Sequence, residues 1–327
     1  MIFMAFMVNN KYLKWLVIDW VSTFNEYSGL DMEAVIFEDQ TLRDGLQNEA
    51  LTLSTDEKEA LFHGLVDAGL KRIQVGSFVH PKYVPQMADT EKLLARLGNP
   101  PGVEISALVL NRRGLARAVA TGVACLSMSV SASDAHSRRN VRRPAVEALA
   151  EMIVLIREAV ADGRQVRAGL QCAFGCVYQG AVAEDDVLRA LGAMAAAGAQ
   201  ELNLADTTGM GHPRQVARLV ARVAKEFPDI PLALHLHDTR GLGIANAQAG
   251  YEAGARIFDA TLGALGGCPF VKGAAGNISL EDGVNLMESG GVGTGVNLEK
   301  LCRLNRGLSE RLGRPLGGQV CRVIGGR

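Results

Sequence analysis

The chain has 327 residues, with 34 Lys plus Arg against 35 Asp plus Glu and a net charge of −1. That balance excludes a general nucleic-acid binder, which needs a basic excess to meet phosphates, and 48% hydrophobic residues exclude an acidic disordered chain. No run approaches the roughly 18 apolar residues of a membrane span, and six Cys (Cys125, Cys172, Cys176, Cys268, Cys302 and Cys321) without paired C-x-x-C spacing point to a reducing, cytoplasmic setting rather than a disulfide scaffold.

Residues 1–33 differ from the rest and hold both Trp of the chain, Trp15 and Trp20. A basic start and a small-residue cleavage site are missing, so a signal peptide is not indicated. Three readings stand: a helix docking by Trp15, Leu16, Ile18 and Val21; a disordered segment; or an extension upstream of a natural start at Met32. The last two are preferred. The chain thus divides into an extension, 1–33, and one domain, 34–327.

From residue 34, short runs dense in Val, Ile, Leu and Ala alternate with amphipathic stretches. The expected strands are Ala34–Phe37, Arg72–Val75, Glu104–Val109, Cys125–Val130, Val166–Ala173, Glu201–Ala205, Leu232–Leu236 and Ile257–Thr261, each apolar enough to be buried on both faces. The helices between them begin with Thr55–Ala68, with Thr55 as N-cap, and continue with Val84–Leu97, Arg113–Ala120, Ala145–Asp162, Glu184–Ala197, Pro213–Glu226 and Leu242–Ala253; Leu280–Glu288 and Leu298–Leu312 close the chain. Gly69, Gly198 and Gly254 each follow a helix and precede a strand, as a left-handed helix stop requires. Eight such βα units in this length predict an α/β fold of (β/α)8 TIM-barrel type. A doubly wound sheet is disfavoured because no Gly-rich phosphate loop follows the first strand.

In such a barrel the chemistry sits at the C-terminal ends of the strands. His235 and His237 are two apart on strand seven and so face the same side. Asp44, after strand one, is the natural carboxylate partner because the first and last strands meet, and Asn277 can add an amide oxygen. Two imidazoles, a carboxylate and an amide without thiolate favour Mg²⁺ or Mn²⁺ over a structural zinc. The competing reading is an H-x-H pair hydrogen-bonded in the barrel mouth. Arg43 suits an oxyanion beside a metal, with a plain ion pair as the alternative. Cys268 lies in a Gly-rich loop that can close over a ligand, or is a small filler. The basic run Ser137–Arg143 either meets a phosphate-bearing ligand or is a solvated turn.

The blocks Asp39–Glu49 (DQTLRDGLQNE), Ser77–Asp89 (SFVHPKYVPQMAD), Ala205–Gly211 (ADTTGMG), His235–Gly241 (HLHDTRG) and Gly263–Asn277 (GALGGCPFVKGAAGN) resemble the 3-hydroxy-3-methylglutaryl-CoA lyase family. The similarity runs from about residue 35 to 312. It implies a carbon–carbon lyase that cleaves a 3-hydroxyacyl-CoA, such as 3-hydroxy-3-methylglutaryl-CoA in leucine degradation, to acetyl-CoA and a keto acid. It implies that Asp44, His235, His237 and Asn277 hold a divalent cation (Mg²⁺ or Mn²⁺). His235, Asp206 or a coordinated group would take the hydroxyl proton, Arg43 would stabilise the enolate and Cys268 would help protonate it. Gln47, Gln74, Ser77 and Arg167 would contact the CoA thioester substrate, and a homodimer is expected.

The chain departs from that family at Gln74, where a catalytic Glu is usual, at Ala50 for a Lys, at Gly169 for an aromatic and at Asn203 for a Ser. An amide cannot accept a proton as a carboxylate does, so any acid–base task at position 74 is lost or moved; with Gly169 opening space and Gln74 offering hydrogen bonds in place of charge, a different, bulkier hydroxyacyl substrate is expected. The competing functions are a condensing acyl-CoA synthase of the same superfamily, a lyase-like enzyme acting on another hydroxy acid, and a non-catalytic relative.

Overall fold

In the computed structural model, which describes residues 34–267 and 276–324, eight parallel strands close into a barrel in sequence order. They are β1 (Ile36–Asp39), β2 (Arg72–Ser77), β3 (Glu104–Val109), β4 (Cys125–Ser131), β5 (Gln165–Gln171), β6 (Glu201–Asp206), β7 (Leu232–Leu236) and β8 (Ile257–Ala260). β1 and β8 seal the barrel, from Ile36 opposite Ile257 to Asp39 opposite Ala260. The fold is the expected (β/α)8 barrel. The N-terminal extension, with its Trp residues and Met32, lies outside the described residues, as does Cys268. Among the described residues no helix is long and apolar enough to cross a membrane.

The helices are α1 (Thr55–Asp67), α2 (Thr90–Leu97), α3 (Arg112–Thr121), α4 (Asp134–Asn140), α5 (Ala145–Ala161), α6 (Glu184–Ala196), α7 (Pro213–Glu226), α8 (Gly243–Glu252), α9 (Leu280–Ser289), α10 (Leu298–Leu312) and α11 (Gln319–Ile324). The N-cap of α1 is Ser54, not Thr55. The Ser54 hydroxyl accepts the Glu57 N–H and the Glu57 carboxylate accepts the Ser54 N–H, a reciprocal capping box. β1 begins two residues later than expected and includes two buried acids, Glu38 and Asp39. An acidic pair reads locally as a strand end; here the barrel interior supplies cations for Glu38. The seven-residue α4 is too short for helical periodicity to announce it.

The three glycine stops share one geometry. Gly69, Gly198 and Gly254 have φ of +106°, +104° and +108°. In each case the next residue's N–H reaches back five positions, Leu70 to Leu65, Ala199 to Met194 and Ala255 to Gly250. This is the Schellman closure, and it turns the chain straight into the next strand. At Gly69 a Cβ would also stand 2.3 Å from the Gly295 carbonyl oxygen. Gly69→Ala is therefore expected to destabilise the fold by about 2–4 kcal/mol, combining a disfavoured φ with a backbone clash; urea unfolding checks it, and an unshifted midpoint contradicts it.

Strand residues alternate between two environments. Leu126, Met128, Leu202, Leu204, Leu234 and Leu236 face the helices and are fully buried. The inward positions are polar. Arg167 on β5 pairs with Glu38 on β1 (2.8 Å), Glu201 on β6 (2.7 Å) and Asp259 on β8 (2.7 Å). Arg72 on β2 joins Glu38 (3.0 Å), Glu104 (3.0 Å) and Glu201 (2.7 Å). β5 is not a neighbour of β1 or β8, nor β2 of β6, and these strands meet only through the ring's interior, so the floor of the barrel is an ion-pair network rather than an aliphatic plug.

The expectation of unpaired thiols needs one correction. Cys302 on α10 and Cys321 on α11 form a disulfide across 19 residues, with Cα atoms 5.1 Å apart. No local spacing signals it, because the chain reversal between the two helices brings the cysteines together. Cys125, Cys172 and Cys176 are buried free thiols.

Candidate active site

His235 on β7 and His237, one residue beyond its end, converge at the barrel mouth, and their Nε2 atoms stand 3.1 Å apart. Asp44 belongs to a π-helical turn, Thr41–Gly45, that follows β1 directly. Its Oδ2 lies 4.0 Å from His235 Nε2 and 3.8 Å from His237 Nε2. Asn277 follows β8 and forms an isolated bridge with His237. Its Nδ2 donates to Asp44 Oδ2 (2.7 Å) and to the Leu265 carbonyl (3.1 Å), while its Oδ1 is buried without a partner. Asp44, His235 and His237 form a cluster of metal-ligating geometry. A buried acceptor with no donor, beside two converging imidazole nitrogens and a carboxylate, is a donor set that fits a cation. The four residues chosen from sequence therefore meet, and they suit a hard or borderline divalent ion.

The electrostatics agree. Burial pushes the Asp44 carboxyl up, but Arg43, His237 and His235 outweigh it and hold it well below the usual carboxylate range. Burial lowers His235 despite Asp259, which favours the neutral, ligating imidazole. Asp259 Oδ2 lies 3.0 Å from His235 Nδ1. Burial raises Asp259, yet Arg167 and His235 keep it below its ordinary value. An ionised carboxylate only accepts, so Nδ1 carries the proton and Nε2 presents its lone pair to the Asp44 side. This carboxylate–histidine support sets tautomer and ring orientation. Asp259 was not singled out from sequence; an acid at an inward position of an apolar strand, between Phe258 and Ala260, was the available signal.

Arg43 is held on three sides. It donates through Nη1 to Asp44, through Nε to Gln74 Oε1 and through Nη2 to Gln40 Oε1 (2.8 Å). Gln74 also approaches Ser106 Oγ (3.4 Å), and Gln40 and Ser106 both donate to Glu38 Oε1. Gln47 donates to Asp44 Oδ1 (2.7 Å). Arg43 and Gln47 thus contact Asp44 directly, and Gln74 acts on it only through Arg43.

The other residues expected at the site each have surroundings of their own. Arg167 is 2% exposed and its guanidinium is engaged by three carboxylates, so it reaches the mouth only through Asp259 and His235. Asp206 accepts the N–H groups of Met210 (2.8 Å) and Gly211 (3.0 Å), and burial raises its carboxyl above the ordinary value against those donors. Ser77 is buried at the end of β2 with an unpartnered Oγ. A Cβ on Gly169 would stand 3.1 Å from Ser129 Cβ and 3.5 Å from Asn203 Oδ1, so neighbouring side chains already occupy the space a larger residue would take. Ala50 is exposed.

The HMGL-like family model matches residues 34–307. The chain belongs to the HMGL-like family. It is 42% identical over 301 residues to the (R)-citramalyl-CoA lyase of Chloroflexus aurantiacus, covering 88% of this chain and 94% of that protein. It is 36% identical over 282 residues to a hydroxymethylglutaryl-CoA lyase of Bacillus subtilis, covering 86% and 94%. Among solved structures, the HMG-CoA lyase of Bacillus subtilis superposes with a TM-score of 0.85 at 35% identity, over 90% of this chain and 98% of that one. An HMG-CoA lyase from Acinetobacter baumannii in complex with coenzyme A and 3-methylmalate gives 0.84 at 37% identity, over 90% and 95%. This HMGL-like chain is accordingly a carbon–carbon lyase.

Proposed function

We propose that the protein is a divalent-cation-dependent lyase that cleaves a short branched 3-hydroxyacyl-CoA between C2 and C3, releasing acetyl-CoA and a keto acid. The observation that carries this reading is the buried set of Asp44 Oδ2, His235 Nε2, His237 Nε2 and the unpartnered Asn277 Oδ1. These residues would hold Mg²⁺ or Mn²⁺, which supplies Lewis acidity toward the substrate's hydroxyl and carboxyl oxygens and a template for their orientation. Asp206 is assigned the hydroxyl proton. His235 Nε2 would be taken up in holding the cation, whereas each Asp206 oxygen keeps a second lone pair and burial makes the carboxylate more basic. As the C3 hydroxyl becomes a carbonyl, the C2–C3 bond breaks and its electron pair forms the thioester enolate, which takes up one proton at C2 to give acetyl-CoA and so balances the proton accepted by Asp206. The Arg43 guanidinium, fixed by Gln40, Gln74 and Asp44, faces that negative charge.

Gln74 bears on the substrate. With an amide rather than a carboxylate at its Nε, Arg43 is neutralised by Asp44 alone and keeps more of its charge for the ligand. That favours a substrate whose own carboxylate sits close to the reacting carbon, as in citramalyl-CoA, over one whose carboxylate is a methylene further away. Purified protein with Mg²⁺ or Mn²⁺ is expected to release acetyl-CoA and pyruvate from (R)-citramalyl-CoA faster than acetyl-CoA and acetoacetate from 3-hydroxy-3-methylglutaryl-CoA. A reversed preference defeats the substrate assignment. Absence of acetyl-CoA from every hydroxyacyl-CoA offered defeats the lyase reading of this site.

A further inference from the structure

We propose that Gln40 is a positioning residue for Arg43 and that Glu38 fixes its orientation, so that neutral amides clamp the guanidinium without cancelling its charge; this rests on the assignment of Arg43 to the enolate. Gln40 joins the end of β1 to the π-helical turn Thr41–Gly45. Its main chain closes that turn: the N–H donates to the Ala260 carbonyl (2.8 Å), and the carbonyl accepts the N–H groups of Arg43 (3.2 Å) and Gly45 (3.0 Å). Its side chain is fully buried and spans two charged partners. Oε1 accepts from Arg43 Nη2 (2.8 Å), and Nε2 donates to Glu38 Oε1 (3.1 Å). The flipped amide would set donor against donor at Arg43 and acceptor against acceptor at Glu38, so only one orientation serves both.

Glu38 decides that orientation. Its Oε2 faces the guanidiniums of Arg72 (3.0 Å) and Arg167 (2.8 Å), which only donate. Its Oε1 accepts from Gln40 and from Ser106 Oγ (2.9 Å). With its proton given to Glu38, the Ser106 hydroxyl turns a lone pair to Gln74 Nε2 (3.4 Å), and Gln74 Oε1 is thereby presented to Arg43 Nε. One buried carboxylate thus aligns both amides with their oxygens toward the guanidinium. Asp44 takes the remaining contact through Nη1. A guanidinium has five N–H donors; the three engaged here leave one on each Nη nitrogen for a ligand oxyanion. Carboxylates in the amides' places would hold the arginine as firmly but neutralise it.

The test is steady-state turnover by the full chain with Mg²⁺, on whichever of (R)-citramalyl-CoA and 3-hydroxy-3-methylglutaryl-CoA it cleaves faster. Gln40→Met keeps the length of the side chain and deletes both hydrogen bonds. Its kcat is expected to fall about 10- to 100-fold with KM within about threefold, because Arg43 acts on charge that appears only in the transition state. Glu38→Gln turns a donor toward Gln40 and is expected to lose as much. E38Q/Q40M should stay within about threefold of Q40M, because Glu38 acts on Arg43 through that amide. Ser106→Ala removes one hydroxyl, leaves every ion pair in place, and is expected to lower kcat about three- to tenfold. Wild-type kcat in Q40M, or a loss confined to KM, overturns the clamp. Losses that multiply in E38Q/Q40M overturn the part given to Glu38. Melting temperatures identify a variant that fails to fold; S106A then decides, and wild-type kcat there overturns the clamp. Wild-type protein that releases acetyl-CoA from neither thioester overturns the lyase reading, and the role of Gln40 with it.

Discussion

Asp44→Ala is expected to lower kcat/KM for the cleaved thioester at least about 1000-fold, roughly 4 kcal/mol of transition-state stabilisation. Asp44 is the one anion among the four converging donors; without it, two imidazoles and an amide must hold a partly dehydrated dication with no opposing charge. The same carboxylate anchors Arg43, Gln47 and Asn277, so its removal also frees the guanidinium assigned to the enolate. Loss of function therefore has two sources, and they separate experimentally. Mn²⁺ titration followed by electron paramagnetic resonance should show weakened binding, while circular dichroism should show an intact barrel. Chelator-stripped wild-type protein should lose turnover and regain it with Mg²⁺ or Mn²⁺. Undiminished turnover in the stripped protein, or in D44A, would remove the basis for the proposed chemistry.

The second large effect is on stability. Arg167→Met is expected to destabilise the fold by about 3–5 kcal/mol, the range for a broken buried ion pair. Arg167 is the shared cation of Glu38, Glu201 and Asp259. Burial already pushes the Glu38 carboxyl above its usual value despite Arg167 and Arg72, so the network has little reserve. With Arg167 gone, only Arg72 remains against those acids, and Asp259 loses the charge that keeps it ionised behind His235. Arg218→Ala is the control: Arg218 pairs with Glu184 on an exposed face, where solvent screening makes such pairs weak, and its melting curve should overlay the wild type. Urea midpoints of R167M and R167K measure the effect, with R167K retaining part of the stability. An R167M midpoint equal to wild type would show the interior charges to be independent of one another.

The placement of both effects shows how far local pattern carries. The i, i+2 alternation on β7 puts His235 and His237 on one face whatever the rest of the fold does, and the glycine stops at Gly69, Gly198 and Gly254 are properties of a few adjacent residues. From these, the barrel, its mouth and the meeting of Asp44 with two imidazoles follow, since closure of an eight-stranded ring makes β1 and β8 neighbours. Arg167 shows the boundary. By position it belongs to an inward face of β5, and resemblance puts it against the substrate; the interior instead supplies three carboxylates from β1, β6 and β8 that engage it first.

Sequence alone thus determined the order of the elements, the end of the barrel where chemistry sits and the residue types that converge there, because backbone preference and side-chain period act over a few residues. Tertiary structure decided which partner each group took: Asp259 behind His235, Gln74 against Arg43, Cys302 with Cys321, and Arg139 over the Tyr178 ring. Those choices depend on strand register and chain reversal across the ring, and charge–charge energy in a buried space follows distance between side chains rather than separation along the chain.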